Sequence, residues 1–177
     1  MSGKELMAFN EELIVADIKQ WIFNYLDIPS KHYNNLKPCP FAKTAWIRNK
    51  VKVVFGSKDE VEQQISDWNN THQLVIVVYD ADDWHAEEWT QERNRQLCKD
   101  NLYLMPFDPD SDDPDDESLD PEEWGSVTED VYGMVFIQNL SELNHFSEIL
   151  DKQGYYKGLS KEFNNYVERR ELANGKG

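Results

Sequence analysis

Residues 73–80, Gln73 to Asp80, read QLVIVVYD, an apolar and mostly β-branched run in which polar residues do not alternate. A strand with one wet face shows a period of two, whereas a continuous apolar strand is buried on both faces and is covered by helices. The neighbouring sequence supports that cover. VKVVF (Val51–Phe55) upstream and LYLMPFD (102–108) and YGMVFIQNL (132–140) downstream are further predicted strands. SKDEVEQQISDW (57–68) predicts a helix with Ser57 as its cap and Glu60 at the capping-box position. DWHAEEWTQERNRQLCKD (83–100) predicts another, with Trp84, Trp89 and Leu97 docking on the core. After the last strand, SELNHFSEILDKQG (141–154) predicts a helix capped by Ser141, and SKEFNNYVERREL (160–172) a final one.

Ahead of the first strand, Ile14, Ile18, Trp21, Ile22, Tyr25 and Leu26 fall at helical spacing, which predicts an amphipathic helix over Glu12–Asp27. FAKTAWIRN (41–49) reads as a short helix with Pro40 in its first turn. The resulting β-α-β-α-β-β-α order predicts an α/β fold: one layered domain with a four-stranded mixed sheet flanked by helices. That order is thioredoxin-like, and a ferredoxin-like arrangement is the alternative. The domain spans residues 1–177, with residues 1–50 as an N-terminal helical segment and 108–126 as an acidic loop insertion.

The net charge is −16, and its distribution is more informative than its size. DPDSDDPDDESLDPEE (108–123) holds ten acids in sixteen residues and no base, so one segment carries −10 of the total. Pro109, Pro114 and Pro121 and the self-repulsion of these acids keep such a segment extended. An acidic surface disfavours direct binding to nucleic-acid phosphates, which requires a basic footprint. Asp108, Asp110, Asp112, Asp113, Asp115, Asp116 and Glu117 are instead candidates for contact with a basic protein partner, steered by charge. The bland alternative is a solvating insertion. A calcium loop is excluded, because its sixth position requires Gly and its twelfth Glu, where this run has Asp113 and Leu119.

A second acidic cluster, YDADDWHAEEW (79–89), lies beyond the buried strand, at the edge where open α/β sheets gather ligands. Asp80, Asp82, Asp83 and His85, joined by Asp108 if the third strand runs parallel, form a candidate site for a hard cation. The simpler reading is a helix start whose dipole favours acids such as Glu88. No Gly-rich phosphate loop, nucleophilic triad or zinc-ligand spacing occurs, and no cofactor is expected. Absence of a long apolar stretch predicts no membrane span, and absence of an export signal with only Cys39 and Cys98 predicts a reducing cytoplasm with free thiols.

Cys39 lies between two prolines in NNLKPCPFAKTAW (34–46). A thiolate there would face the start of a helix, and Lys37 and Lys43 would lower its pKa further, so Cys39 with Lys43 is the candidate catalytic pair. The structural alternative is a Cys packed as a small hydrophobe beside Phe41. CPFA (39–42) resembles the C-P-[FY]-[CS] turn of glutaredoxin-like proteins, which implies a nucleophilic first cysteine; Ala42 replaces the second, and a polar loop precedes the motif instead of a strand. NLKPCPFAK (35–43), with the strands VKVVF and LVIVV and the stretches LYLMPFDPD and VYGMVFIQNLSEL, is similar to a bacterial family of unassigned activity that carries an N-L-C-P-F-A-K type motif. That resemblance covers about two thirds of the chain in order and implies fold alone. The family's His-Pro pair after the third strand is Asp108-Pro109 here, and its Asn-Arg-Ser-Pro-Tyr-Pro run is TEDVYGM, which keeps Tyr132.

Overall fold

The computed structural model describes residues 3–109 and 132–158. The expected final helix and the acidic positions 110–126 lie outside the described residues. Elements follow in the order α1 (Gly3–Trp21), α2 (Ala42–Ile47), β1 (Val51–Phe55), α3 (Lys58–Ser66), β2 (Leu74–Tyr79), α4 (Glu87–Leu97), β3 (Leu102–Phe107), β4 (Gly133–Asn139) and α5 (Leu140–Lys152). The fold is α/β, with helices on both faces of a four-stranded mixed sheet ordered β1-β2-β4-β3. β1 and β2 pair in parallel, and β4 is antiparallel to both β2 and β3. The first three strands therefore share one direction. A ferredoxin-like β-α-β-β-α-β order does not occur among the described residues.

All six residues of β2 are buried, as the apolar run requires. Its even-numbered side chains, Leu74, Ile76 and Val78, join Met134 and Phe136 under Ile14, Ile18, Trp21, Ile22 and Leu26 of the first helix. Its odd-numbered side chains, Val75, Val77 and Tyr79, join Val135, Ile137 and Leu104 under Val61 of α3 and Leu97 of α4. Period-two geometry thus divides one strand between two cores. The first helix ends in a π-helical turn, Ile22–Leu26, that closes with the Asp27 N–H on the Ile22 carbonyl. Gly133 faces Tyr79 across the β2–β4 pair, and a Cβ there would lie 2.3 Å from the Tyr79 ring. Only glycine leaves room for that buried ring.

The two sheet edges differ. β3 is blocked: the Asn94 side chain of α4 receives the Leu104 N–H (2.8 Å) and donates to the Leu104 carbonyl (2.9 Å), as a neighbouring strand would. Pro106, two residues on, offers no N–H on the same side, which is where an edge strand tolerates proline. At β1 no described element other than β2 supplies a comparable seam.

Three helix starts differ from expectation. α5 is capped by Asn139 and not Ser141: the Asn139 Oδ1 accepts the Glu142 N–H at 3.2 Å, and Ser141 lies in the first turn. Asn101, at φ 61°, braces that junction by accepting the Ser141 N–H (2.9 Å) and donating to the Asn139 Oδ1 (3.0 Å). At α3, Ser57 occupies the cap position without a side-chain hydrogen bond, and Glu60 accepts from Gln64 Nε2 (2.8 Å) instead of closing a capping box. Likewise α2 begins at Ala42, with Phe41 as its cap residue, and Pro40 precedes the helix. Among the described residues no helix is long and apolar enough to cross a membrane.

Asn94→Ala orphans two buried backbone groups at Leu104. We expect a loss of about 1–3 kcal/mol for each group left unpaired, read from urea unfolding; a loss under about 0.5 kcal/mol would show that water replaces the amide.

Candidate functional site

Because β1, β2 and β3 run in one direction, their carboxyl ends deliver Gly56, Asp80 and Asp108 to one edge of the sheet. There Asp108 is 9% exposed, and its carboxylate accepts the N–H groups of Ala86 (3.0 Å) and Glu87 (2.9 Å). It caps α4 from another strand, satisfying the first turn's free donors and placing negative charge at the positive end of the helix dipole. Asp80 is also engaged: its Oδ1 accepts the Asp82 N–H (3.0 Å), and its backbone carbonyl accepts those of Asp83 and Trp84. Asp82, Asp83, His85, Glu87 and Glu88 are exposed.

The structure therefore does not bring Asp80, Asp82, Asp83, His85 and Asp108 together as cation ligands. Among the described residues no three His, Cys, Asp or Glu side chains form a possible metal group. Asp108 is withdrawn into the helix cap and Asp80 into a turn. Of the acids expected to contact a partner, Asp108 is thus structural, while Asp110, Asp112, Asp113, Asp115, Asp116 and Glu117 lie outside the described residues.

The described residues on either side of the 110–131 stretch are anchored at this edge. Phe107 forms the last β3–β4 pair with Met134 and lies edge-on to Trp21, with ring centroids 5.9 Å apart. On the other side Tyr132 donates its hydroxyl to the Asp17 carboxylate of α1 at 2.9 Å. Burial pushes the Tyr132 hydroxyl up, and its hydrogen bond to the Asp17 anion adds to that shift. Sequence spacing carried no sign of the Asp17–Tyr132 contact, which joins residues 115 positions apart. The ledge beside the edge is aromatic: Tyr79, Trp84 and Trp89 meet at centroid distances of 4.9 and 5.6 Å, and the Lys58 ammonium lies 6.0 Å from the Trp89 ring.

Cys39 occupies a different place. Its N–H donates to the Leu26 carbonyl (2.9 Å), and its half-buried side chain packs on the α1 core. The expected lowering of its pKa is reversed. Burial pushes the thiol up and outweighs the Phe41 and Ala42 N–H groups that favour the thiolate, while the Asp27 carboxylate raises it further. Lys37 and Lys43 do not offset this, because both bind Asp27, at 3.0 and 3.3 Å. Burial raises the Asp27 carboxyl, but the two lysines more than offset it and hold the group below its ordinary value. Phe41 stacks on Phe146 at 3.8 Å, and Tyr155 donates to the Pro38 carbonyl, closing the proline-flanked loop against α5 and the turn after it. Cys98 is also half-buried, and burial raises its thiol too.

A cavity of about 230 Å3 lies at the amino end of β2, lined by Lys52, Gln64, Trp68, Asn70 and His72 among others. Two pairs of its polar groups bond each other: Lys52 donates to Gln64 (3.0 Å) and Trp68 to Asn70 (3.0 Å). Comparison with protein-family models, curated proteins and solved structures returns no match.

Two outcomes follow from this geometry. Iodoacetamide should label native Cys39 more slowly at pH 7 than a free thiol of pKa ~8.5, with the rate rising only at higher pH; rapid labelling at neutral pH would contradict the packing. Asp27 is held low when folded, so its ion pairs stabilise fully above the ordinary carboxylate pKa of ~3.9 and that stability is lost as pH falls through the lowered value. Denaturation of Asp27→Asn should accordingly differ from that of the parent at pH 7 and converge with it in acid, and a constant difference would contradict the assigned shift.

Proposed function

We propose that this is a non-enzymatic, cytoplasmic acidic interaction protein that engages a basic protein partner through its carboxyl sheet edge, with the 108–123 run as the principal contact. The observation that carries the reading is that the acidic cluster 79–88 lies at the sheet edge where β3 ends and the 108–123 run begins in sequence. Residues 79–88 hold five acids and no Lys or Arg, and they surround the root of a run holding ten. The described ion pairs engage Asp27, Glu62 and Glu92, and none engages Asp82, Asp83, Glu87 or Glu88. Arg93, the nearest base in sequence, is held by Glu62 at 2.9 Å, and the Lys58 ammonium lies over the Trp89 ring. Charge left without local compensation raises association rates with an opposite charge and makes them salt-dependent. Two free thiols, Cys39 and Cys98, accord with a reducing compartment.

The thiol-enzyme alternative has weaker support. Cys39 is packed and its thiol raised, and Lys43 is held by Asp27 instead of standing free to activate it.

The test is titration of the full chain with a Lys/Arg-rich peptide, by calorimetry, at low and high salt. Tight binding should weaken steeply with salt. It should also weaken by about tenfold or more (a 1.4 kcal/mol difference) when Asp110, Asp112, Asp113, Asp115, Asp116 and Glu117 are changed to Asn and Gln. Equal affinity in that variant, with unchanged circular dichroism, would overturn the proposal.

A further inference from the structure

We infer that a second copy of this chain pairs with the open edge of β1, antiparallel and centred on Val53, to form an eight-stranded sheet across a two-fold axis. The inference is independent of the acidic-edge reading. In the parallel β1–β2 ladder, the Lys50 carbonyl accepts from Gln73 and Leu74, and the Gly56 N–H donates to the Val78 carbonyl. Alternation along a parallel strand then directs the backbone groups of Lys52 and Val54 to β2 and those of Val51, Val53 and Phe55 outward. The opposite edge of the sheet is sealed at Leu104 by Asn94 and at Pro106 by proline. Among the described residues only β2 pairs with β1, which leaves an unpaired ladder of the kind that templates another strand.

Charge and side chains select a second copy, and select the antiparallel orientation. Exposed Arg48 and Lys50 stand at the amino end of β1, and Asp59 and Glu60 follow its carboxyl end on the first turn of α3. Lys58, between them, lies 6.0 Å from the Trp89 ring and keeps its charge, so Lys58, Asp59 and Glu60 together carry −1 against the +2 of Arg48 and Lys50. An antiparallel partner lays the basic end of one copy beside the acidic end of the other, whereas a parallel partner would set base against base. Centring on Val53 pairs Val51 with the partner's Phe55, and all the outward groups find partners. Lys52 then faces the partner's Val54, so no like charges meet directly across the ladder. Val51, Val53 and Phe55 are partly buried against the α1 core, and pairing would continue that apolar face into the partner. Ile47, at the end of α2 just before β1, is 65% exposed and would be covered by the same approach.

Light scattering on the full chain tests this. The expected mass is twice the 20.8 kDa of one chain, reverting to the single-chain mass in Val53→Pro, which deletes an outward N–H and leaves the β2 ladder intact. A single-chain mass for the parent at high protein concentration, or a dimer that persists in Val53→Pro, would overturn the inference. Arg48→Glu with Lys50→Glu should weaken association, and unchanged association would overturn the antiparallel orientation. If Val53→Pro does not fold, hydrogen exchange on the unmodified protein decides. Amides of Val51, Val53 and Phe55 should slow as concentration rises while those of Lys52 and Val54 stay protected throughout. Exchange at Val53 that does not change with concentration would mean that the edge is vacant or covered by the chain itself.

Discussion

Keeping both faces of β2 out of water is the constraint on which the rest of the structure depends. Its six residues are all buried, and they feed two cores that share no helix. Burial of apolar surface contributes about 25 cal/mol per Å2, so neither helical layer can leave without exposing one side of the central strand. Helices must therefore return the chain to the same sheet end before each of β2 and β3. That return gives the first three strands a common direction and gathers their carboxyl ends at one edge. β3 therefore delivers the chain to that edge at Asp108, and β4 starts from the same edge at Gly133.

The edge separates structural acids from solvated ones. Asp108 and Asp80 are engaged in backbone hydrogen bonds that hold the start of α4 and the turn before it. Asp82, Asp83, Glu87 and Glu88 remain exposed beside them. Among the described residues no three such acids come close enough together to share a cation. The same residue type, a few positions apart, thus has two distinct physical roles. At Asp27 a third arrangement appears, in which a shielded carboxylate gathers Lys37 and Lys43 near Cys39 and so removes the positive charge a reactive thiol would need.

Local pattern made much of the fold legible. The QLVIVVYD run required a covered strand, helical spacing from Ile14 to Leu26 required a docked helix, and the order of elements required an α/β sheet. Contacts between distant residues left no such trace. The β1-β2-β4-β3 order follows from which strand β4 joins, a choice made by packing and not by spacing. Asp108 looked like one member of an acidic run, because its partners lie more than twenty residues away. Asn94 left a fainter signal, as a polar residue on the inward stripe of α4 between Thr90 and Leu97, which in a helix implies a buried partner. Cys39 misled for a related reason: sequence showed the lysines beside it but not the Asp27 that binds them.

The most direct measurement of the central claim, that the carboxyl edge is the binding surface, is amide chemical-shift mapping of the full chain titrated with a Lys/Arg-rich peptide. The account predicts that shifts concentrate at Asp82–Glu88, in the acidic run from Asp108 onward and at Tyr132 beyond it, and vanish at high salt. Shifts centred on Cys39, or spread evenly over the surface, would contradict it.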